Sequence, residues 1–388
     1  MNRYKLLCVL SLLAGFTLCA AVAASKVTKS ASNLFARAES EQKAGHLEAA
    51  LAGFDQAIKL SPDFVEAYIN RAVVKAALRD FDGAIRDSDR AIHLKSNCAP
   101  AFNNRGMAKL DKKDVAGAIA DVKLAIFHDP LFATAFINLG AIKFRQGDLD
   151  AAISAFTEAR QISPELAVAY RYRGLVLYQK GDFDAALADF DRAIELKVED
   201  PQVFRFRGIM RRRNRDFSGA IADFDRAVRL VPNDRGSLYA RAVARIATGD
   251  FAQAIGDLEK RIALKPEDAA YARFARHIVL RRLARTAEDD LGSQVESWPE
   301  SWQKTVGRFL MGNAPLGVLV DSIGESNTAK ERSERSCEVY YYAAVVDLLE
   351  GRVSEARRKF EMCLASRATG LAEFELAQAE LARLEVLD

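Results

Sequence analysis

Much of what an enzyme or a nucleic-acid binder needs is scarce in these 388 residues. Only four histidines occur (His46, His93, His128 and His277), and no two share a metal-ligand spacing. There is no G-x-S-x-G elbow, no H-E-x-x-H helix, no phosphate-cradling G-x-x-x-x-G-K loop and no C-x-x-C pair. The chain is therefore expected to be no enzyme and to hold no cofactor or metal. An excess of one charge is also missing. The formal net charge is +3, which gives no electrostatic case for nucleic acid, whose binding rests on a basic face. With nine prolines and half of its residues hydrophobic, the chain is no disordered tail and suits packed helices.

Long apolar runs are confined to the start. Arg3 and Lys5 precede the run Leu6 to Ala20, and Ala21-Val22-Ala23 supplies small residues of the kind a signal peptidase cleaves after. Residues 1–24 read as a signal peptide. Because Leu6 to Ala24 is also about long enough to span a bilayer, an uncleaved anchor is the second reading, and membrane contact is expected only in that case. Cys19 follows Thr17-Leu18, a poor lipobox.

What the sequence does have is a beat. Ala50/Ala57, Ala84/Ala91, Ala118/Ala125, Ala152/Ala159, Ala186/Ala193 and Ala220/Ala227 recur every 34 residues. Gly106, Gly140, Gly174 and Gly208 keep the same step, with Ala72 and Ala242 in their slot, and Pro62, Pro130, Pro164, Pro232 and Pro266 close repeats. Large residues fall at two further slots: Tyr68, Phe102, Phe136, Tyr170 and Phe204, then Phe54, Phe156, Phe190 and Phe224. Small side chains would let paired helices approach closely, and each proline would end a second helix.

This pattern resembles the tetratricopeptide-repeat (TPR) family. The resemblance implies an all-α, right-handed superhelical solenoid of helix-turn-helix repeats, helix A then helix B. Seven repeats are expected over 31–268, an irregular helical insert over 269–336, and a final repeat over 337–388 ending in an amphipathic capping helix from Gly370 to Leu387, with Leu371, Phe374, Leu376, Leu381 and Leu384 as its apolar face. Ser326 to Glu334 reads as a polar loop. The order Trp298-Pro299, Phe309-Leu310-x-Gly312, "Cys-Glu-x-Tyr-Tyr-Tyr" from Cys337, and a final "Glu-Leu-x-Arg-Leu" helix looks like the C-terminal half of bacterial periplasmic TPR adaptor lipoproteins. A non-catalytic scaffold or adaptor of the bacterial cell envelope, periplasmic and homodimerising, is implied by that likeness. The alternative is a membrane-anchored subunit of a secretion or outer-membrane assembly machine.

Comparing repeats exposes a charge pattern. Slot 7 of helix A and slot 23 of helix B hold Arg71/Asp87, Arg105/Asp121, Arg173/Asp189, Arg207/Asp223 and Arg241/Asp257. In the fourth repeat both vanish together, as Leu139 and Ala155. These slots face each other in an antiparallel hairpin, so the residues read as structural ion pairs. Cys337 and Cys363 lie near each other at the open end of the last hairpin. They either close a disulfide, which an exported chain would permit, or pack as two thiols.

In the TPR family, partners bind an inner groove lined by helix A. On that resemblance the candidate groove residues are Ile69, Asn103, Ile137, Phe144, Arg171, Tyr178, Arg205, Arg212 and Tyr239. The carboxylate clamp known in some grooves is absent, since its second slot is apolar throughout, from Val73 to Val243. Arginine beside tyrosine and phenylalanine suits an acidic or aromatic protein or peptide ligand.

Overall fold

The computed structural model describes residues 27–286 and 289–387. Residues 1–24, read as a leader or anchor, lie outside them. The described residues are helical with no strand, a helical repeat solenoid by fold class. The chain divides into two compact units, the first ending at Val198 and the second starting at Glu199.

The first unit is built of antiparallel hairpins: α1 (Lys29–Lys43) with α2 (Leu47–Leu60), α3 (Val65–Ala77) with α4 (Phe81–Leu94), α5 (Ala99–Asp111) with α6 (Val115–His128), α7 (Ala133–Gln146) with α8 (Leu149–Ile162), and α9 (Ala167–Lys180) with α10 (Phe183–Glu195). The second opens with two more, α11 (Pro201–Arg213) with α12 (Phe217–Leu230) and α13 (Arg235–Thr248) with α14 (Phe251–Leu264). A single helix α15 (Ala270–Arg282) follows, then the short α16 (Leu291–Val295), α17 (Trp302–Leu310) and α18 (Leu316–Gly324). The chain ends with the hairpin α19 (Ala329–Leu349) and α20 (Val353–Ala365), and with α21 (Ala372–Leu387).

Local chemistry starts and stops these helices. The carboxylates of Asp80, Asp114, Asp148, Asp182, Asp216 and Asp250 each accept from the backbone N–H three residues on, capping a helix B. The preceding turn needs a left-handed residue. Glycine supplies it at Gly147, Gly181 and Gly249, but Arg79, Lys113 and Arg215 adopt it too, at φ 65°, 70° and 63°. Inside each hairpin, Phe54, Phe156, Phe190 and Phe224 are fully buried, as are the paired alanines. A Cβ on Gly140, Gly174 or Gly208 would stand 2.7–2.8 Å from the facing ring, so glycine is what lets helix A lie on that phenylalanine.

Two features depart from expectation. Five of the seven repeats close with proline; the fifth has Val198 there, as the second has Ser96, and α10 stops at Glu195 while Lys197 turns left-handed at φ 64°. The boundary between the two units falls just after that turn. Ser326 to Glu334 is mostly helix rather than loop, because α19 begins at Ala329. Thr328 Oγ1 accepts from the Glu331 N–H at 3.0 Å while the Glu331 carboxylate accepts from the Asn327 N–H at 3.1 Å. This reciprocal cap starts the helix two turns before Cys337.

Candidate partner-binding surfaces

The slot-7 arginines fork onto the slot-23 aspartates. Nε and Nη2 of Arg71 donate to the two carboxylate oxygens of Asp87 at 2.8 and 2.6 Å. The same two-toothed contact joins Arg105 to Asp121, Arg173 to Asp189, Arg207 to Asp223 and Arg241 to Asp257. The third nitrogen adds what the repeat comparison missed. Nη1 reaches back to helix B of the preceding repeat, to Asp55 from Arg71 (2.6 Å), Asp89 from Arg105 (2.7 Å) and Asp225 from Arg241 (2.7 Å). Arg173 meets Thr157 there at 3.1 Å. Arg71, Arg105, Arg173 and Arg241 therefore each staple two repeats. The fourth repeat replaces the whole set, with Lys123 standing where the preceding repeat would offer its carboxylate. The signal was present: Asp55, Asp89 and Asp225 keep the 34-residue step.

The candidate groove residues divide. In the first unit Ile69, Asn103 and Ile137 are buried, which corrects the reading of them as lining. Their slot lies in the seam where helices A of neighbouring repeats touch, and Asn138 Nδ2 donates to Asn103 Oδ1 at 2.8 Å across it. Phe144, Arg171 and Tyr178 are half-exposed on α7 and α9. The Arg171 guanidinium lies over the Tyr172 ring at 4.3 Å, and Tyr178 meets the Phe183 ring edge-on.

In the second unit the same slots are covered. Arg205 is half-buried, bonded to Asp234 at 3.2 Å and stacked over Phe206. Arg212 is buried with its Nε 2.7 Å from Glu375 Oε2, and Tyr239 packs into the core that holds α21. Neither Arg212 nor Tyr239 lines an open groove, because α21 lies along this helix-A face. No residue from Leu371 to Leu384 is exposed. Glu380 pairs with Arg282 on α15 at 2.8 Å, and Arg383 donates to the carbonyls of Ile246 and Ala247 at the end of α13. From Leu371 to Leu384, α21 buries more than the single apolar stripe of an amphipathic cap.

Models of the tetratricopeptide repeat match residues 131–197, and residues 35–97 and 207–272. The chain belongs to the tetratricopeptide-repeat family. TPR proteins are protein-interaction scaffolds, and that coarse role is this chain's. No curated protein sequence matches it. Among solved structures, the Pseudomonas aeruginosa pilF protein is 16% identical, with a TM-score of 0.49 over 54% of this chain and 95% of its own. YrrB, described as a TPR protein with an unusual peptide-binding site, is 21% identical with a TM-score of 0.39, covering 48% of this chain and 97% of its own. MamA from Desulfovibrio magneticus RS-1 is 21% identical with a TM-score of 0.36, covering 44% and 97%.

Glu338 on α19 is buried between Tyr271, whose hydroxyl donates to Oε1 at 3.0 Å, and Trp302, whose indole donates to Oε2. Burial, and next the negative charge of Glu373, push its carboxyl up to about 7. Glu373 is itself raised by burial while accepting from Tyr342 at 2.8 Å. Trp298 packs on Phe274, so both tryptophans serve the core of the second unit. The Cys337 and Cys363 sulfurs are buried 2.7 Å apart. His277 faces Asp289 at 2.5 Å, a buried pair that sequence spacing did not reveal. His128 stacks on Phe102 and His46 bonds to Glu41. No cluster of potential metal ligands occurs among the described residues.

Proposed function

We propose that this TPR chain is a non-catalytic scaffold of the bacterial cell envelope that holds a partner polypeptide along the helix-A face of its first unit. The observation that carries this reading is the contrast in exposure: Phe144, Arg171 and Tyr178 stay half-exposed on α7 and α9, while Arg212 and Tyr239, at equivalent slots of the second unit, are covered by α21. Aromatic rings beside a guanidinium favour a partner segment with carboxylates or aromatics, through forked hydrogen bonds and stacking.

Photo-crosslinking residues installed at Phe144 and Tyr178 are expected to trap a polypeptide in cells, and one at Lys123, exposed on helix B, is not. Arg171→Glu should remove the adducts without lowering Tm. Equal adducts from Lys123 would sink the reading. Homodimerisation belongs to the same proposal and is read from mass in solution.

Residues 1–24 support delivery across the inner membrane into the periplasm. Among the described residues, no helix is long and apolar enough to cross a membrane. The same apolar run favours the second reading, an anchored subunit of a secretion or outer-membrane machine. N-terminal sequencing of the cell-associated protein separates them: a start near Ala24 supports export with cleavage, an intact Met1 supports the anchor.

A further inference from the structure

α21 sits in the second unit as a ligand sits in a site. A helix that merely closed the end of a solenoid would bury one stripe and wet the other. This one hides its carboxylates: Glu373, Glu375 and Glu380 are all at least nine-tenths buried. They are matched from three directions, Glu375 by Arg212 of α11, Glu380 by Arg282 of α15, and Glu373 by the Tyr342 hydroxyl of α19. Between these contacts Leu376, Ala377, Ala379 and Leu384 share one apolar core with Val243 and Ile246 of α13. At the far end Arg383 satisfies carbonyls at the C-terminus of α13, where a helix favours a cation.

The seat is also costly to keep closed. Taking paired charges out of water is repaid only when their hydrogen bonds are good. Arg212 Nε and Glu375 Oε2 are 2.7 Å apart, yet neither atom makes an aligned hydrogen bond. An open cavity of about 510 Å³ runs beside the last turns, between Phe217 and Ala247 on one side and Ala379 and Arg383 on the other. Only a short turn, with Arg367 left-handed at φ 57°, joins α20 to α21.

We propose that α21 is a resident, displaceable occupant of a second interaction surface on α11, α13, α15 and α19, and that the partner for this surface is an amphipathic helix carrying carboxylates at the positions of Glu375 and Glu380. This surface is separate from the one proposed on the first unit, and either can fail alone.

The test uses the full chain and a fluorescein-labelled synthetic peptide of residues 369–386. Fluorescence anisotropy should show weak binding to the unaltered chain. In Glu375→Arg/Glu380→Arg protein, whose resident helix repels Arg212 and Arg282, binding should tighten at least tenfold. Adding Arg212→Glu and Arg282→Glu should abolish it, because the resident helix then meets opposite charges again and reseats, and a peptide carrying the two Glu→Arg changes should bind that chain only as weakly as the original peptide binds the unaltered one. A folded Glu375→Arg/Glu380→Arg protein, by circular dichroism, that binds peptide no better than the unaltered chain overturns the proposal. So does dimerisation by exchange of α21 between two copies. Hydrogen exchange on the unaltered chain decides the matter if that variant does not fold. α21 amides should exchange at least tenfold faster than those of α13 and α14, and equal protection overturns the proposal.

Discussion

The two units run the same repeat chemistry and leave it in different states. On α9, Arg171 and Tyr178 sit at helix-A slots that remain half-exposed. On α11 and α13, Arg212 and Tyr239 occupy the equivalent slots, yet one is buried on a glutamate and the other packed into a core. The difference lies in what the chain lays across the face afterwards. A slot number fixes the direction in which a side chain leaves its helix; whether it meets solvent depends on a segment more than 100 residues away.

The staples, present in both units, are where the comparison can be broken hardest. Asp223→Ala should remove the carboxylate on which Arg207, with its side chain 9% exposed, forks and to which Arg211 also donates at 3.0 Å. Removing one partner of a buried pair costs about 3–5 kcal/mol. Asp121→Ala in the first unit should cost less, since the Arg105 side chain is 20% exposed against 9% for Arg207. Arg207→Leu with Asp223→Ala should lose less than Asp223→Ala alone, as the natural Leu139/Ala155 repeat suggests. Urea denaturation ranks the three, and equal midpoints would show that the forks add nothing.

Much of this was legible in the sequence, because repeated residues report on one another. The alanine and glycine slots, the phenylalanines and the arginine–aspartate pairs are local to one hairpin or two, and periodicity exposes such contacts. The insert and α21 occur once, so nothing calibrated them. Ser326 to Glu334 looked polar enough for a loop, but the Thr328–Glu331 cap outweighed composition. Leu371, Phe374, Leu376, Leu381 and Leu384 suggested an amphipathic cap, and nothing in the sequence marked the burial of Glu373, Glu375 and Glu380 between them. Two of them, Glu380 and Glu375, find arginine partners 98 or more residues earlier, at Arg282 and Arg212, a separation no period reveals.

Acidity separates the units next. Burial would raise Asp121, but the Arg105 and Lys109 cations hold it below the ordinary carboxylate range. A lowered native value means stability present at neutral pH and lost as pH falls below about 4. Glu338 has the opposite sign. Raised from 4.5 to about 7, it contributes fully below pH 4.5, and the contribution drains away as pH climbs through 7. The whole swing is on the order of 3 kcal/mol. The chain's two tryptophans, Trp298 and Trp302, both lie in the second unit. Melting followed by their fluorescence should therefore fall between pH 5 and 8, and Glu338→Gln should flatten the curve. A wild-type Tm that stays constant over that range would refute the assignment.

Glycine gives a smaller contrast. In the first unit, Gly174→Ala drives a Cβ to 2.8 Å from the buried Phe190 ring, and overpacking of this kind costs about 1–3 kcal/mol. In the second, Gly256 lies mid-helix on α14 with nothing within 4 Å of an added Cβ. Gly256→Ala should gain about 0.5–1 kcal/mol from helix propensity alone. Calorimetric Tm shifts of the same sign at both sites would contradict the packing described.

The smallest effect probes the turns. Lys113 and Arg215 hold the left-handed conformation that glycine supplies at Gly147 and Gly249, and a side chain there costs about 1 kcal/mol. Lys113→Gly, at an exposed position, should recover most of that strain, less the extra entropy glycine brings to the unfolded chain. Arg215→Gly relieves the same strain but removes a side chain that lines the cavity beside α21. Its gain should be smaller, and the labelled α21 peptide should bind the Arg215→Gly chain more strongly than it binds the Lys113→Gly chain. Equal gains in Tm with equal peptide binding would mean that Arg215 gives α21 no support, and that the turn in the second unit behaves like those in the first.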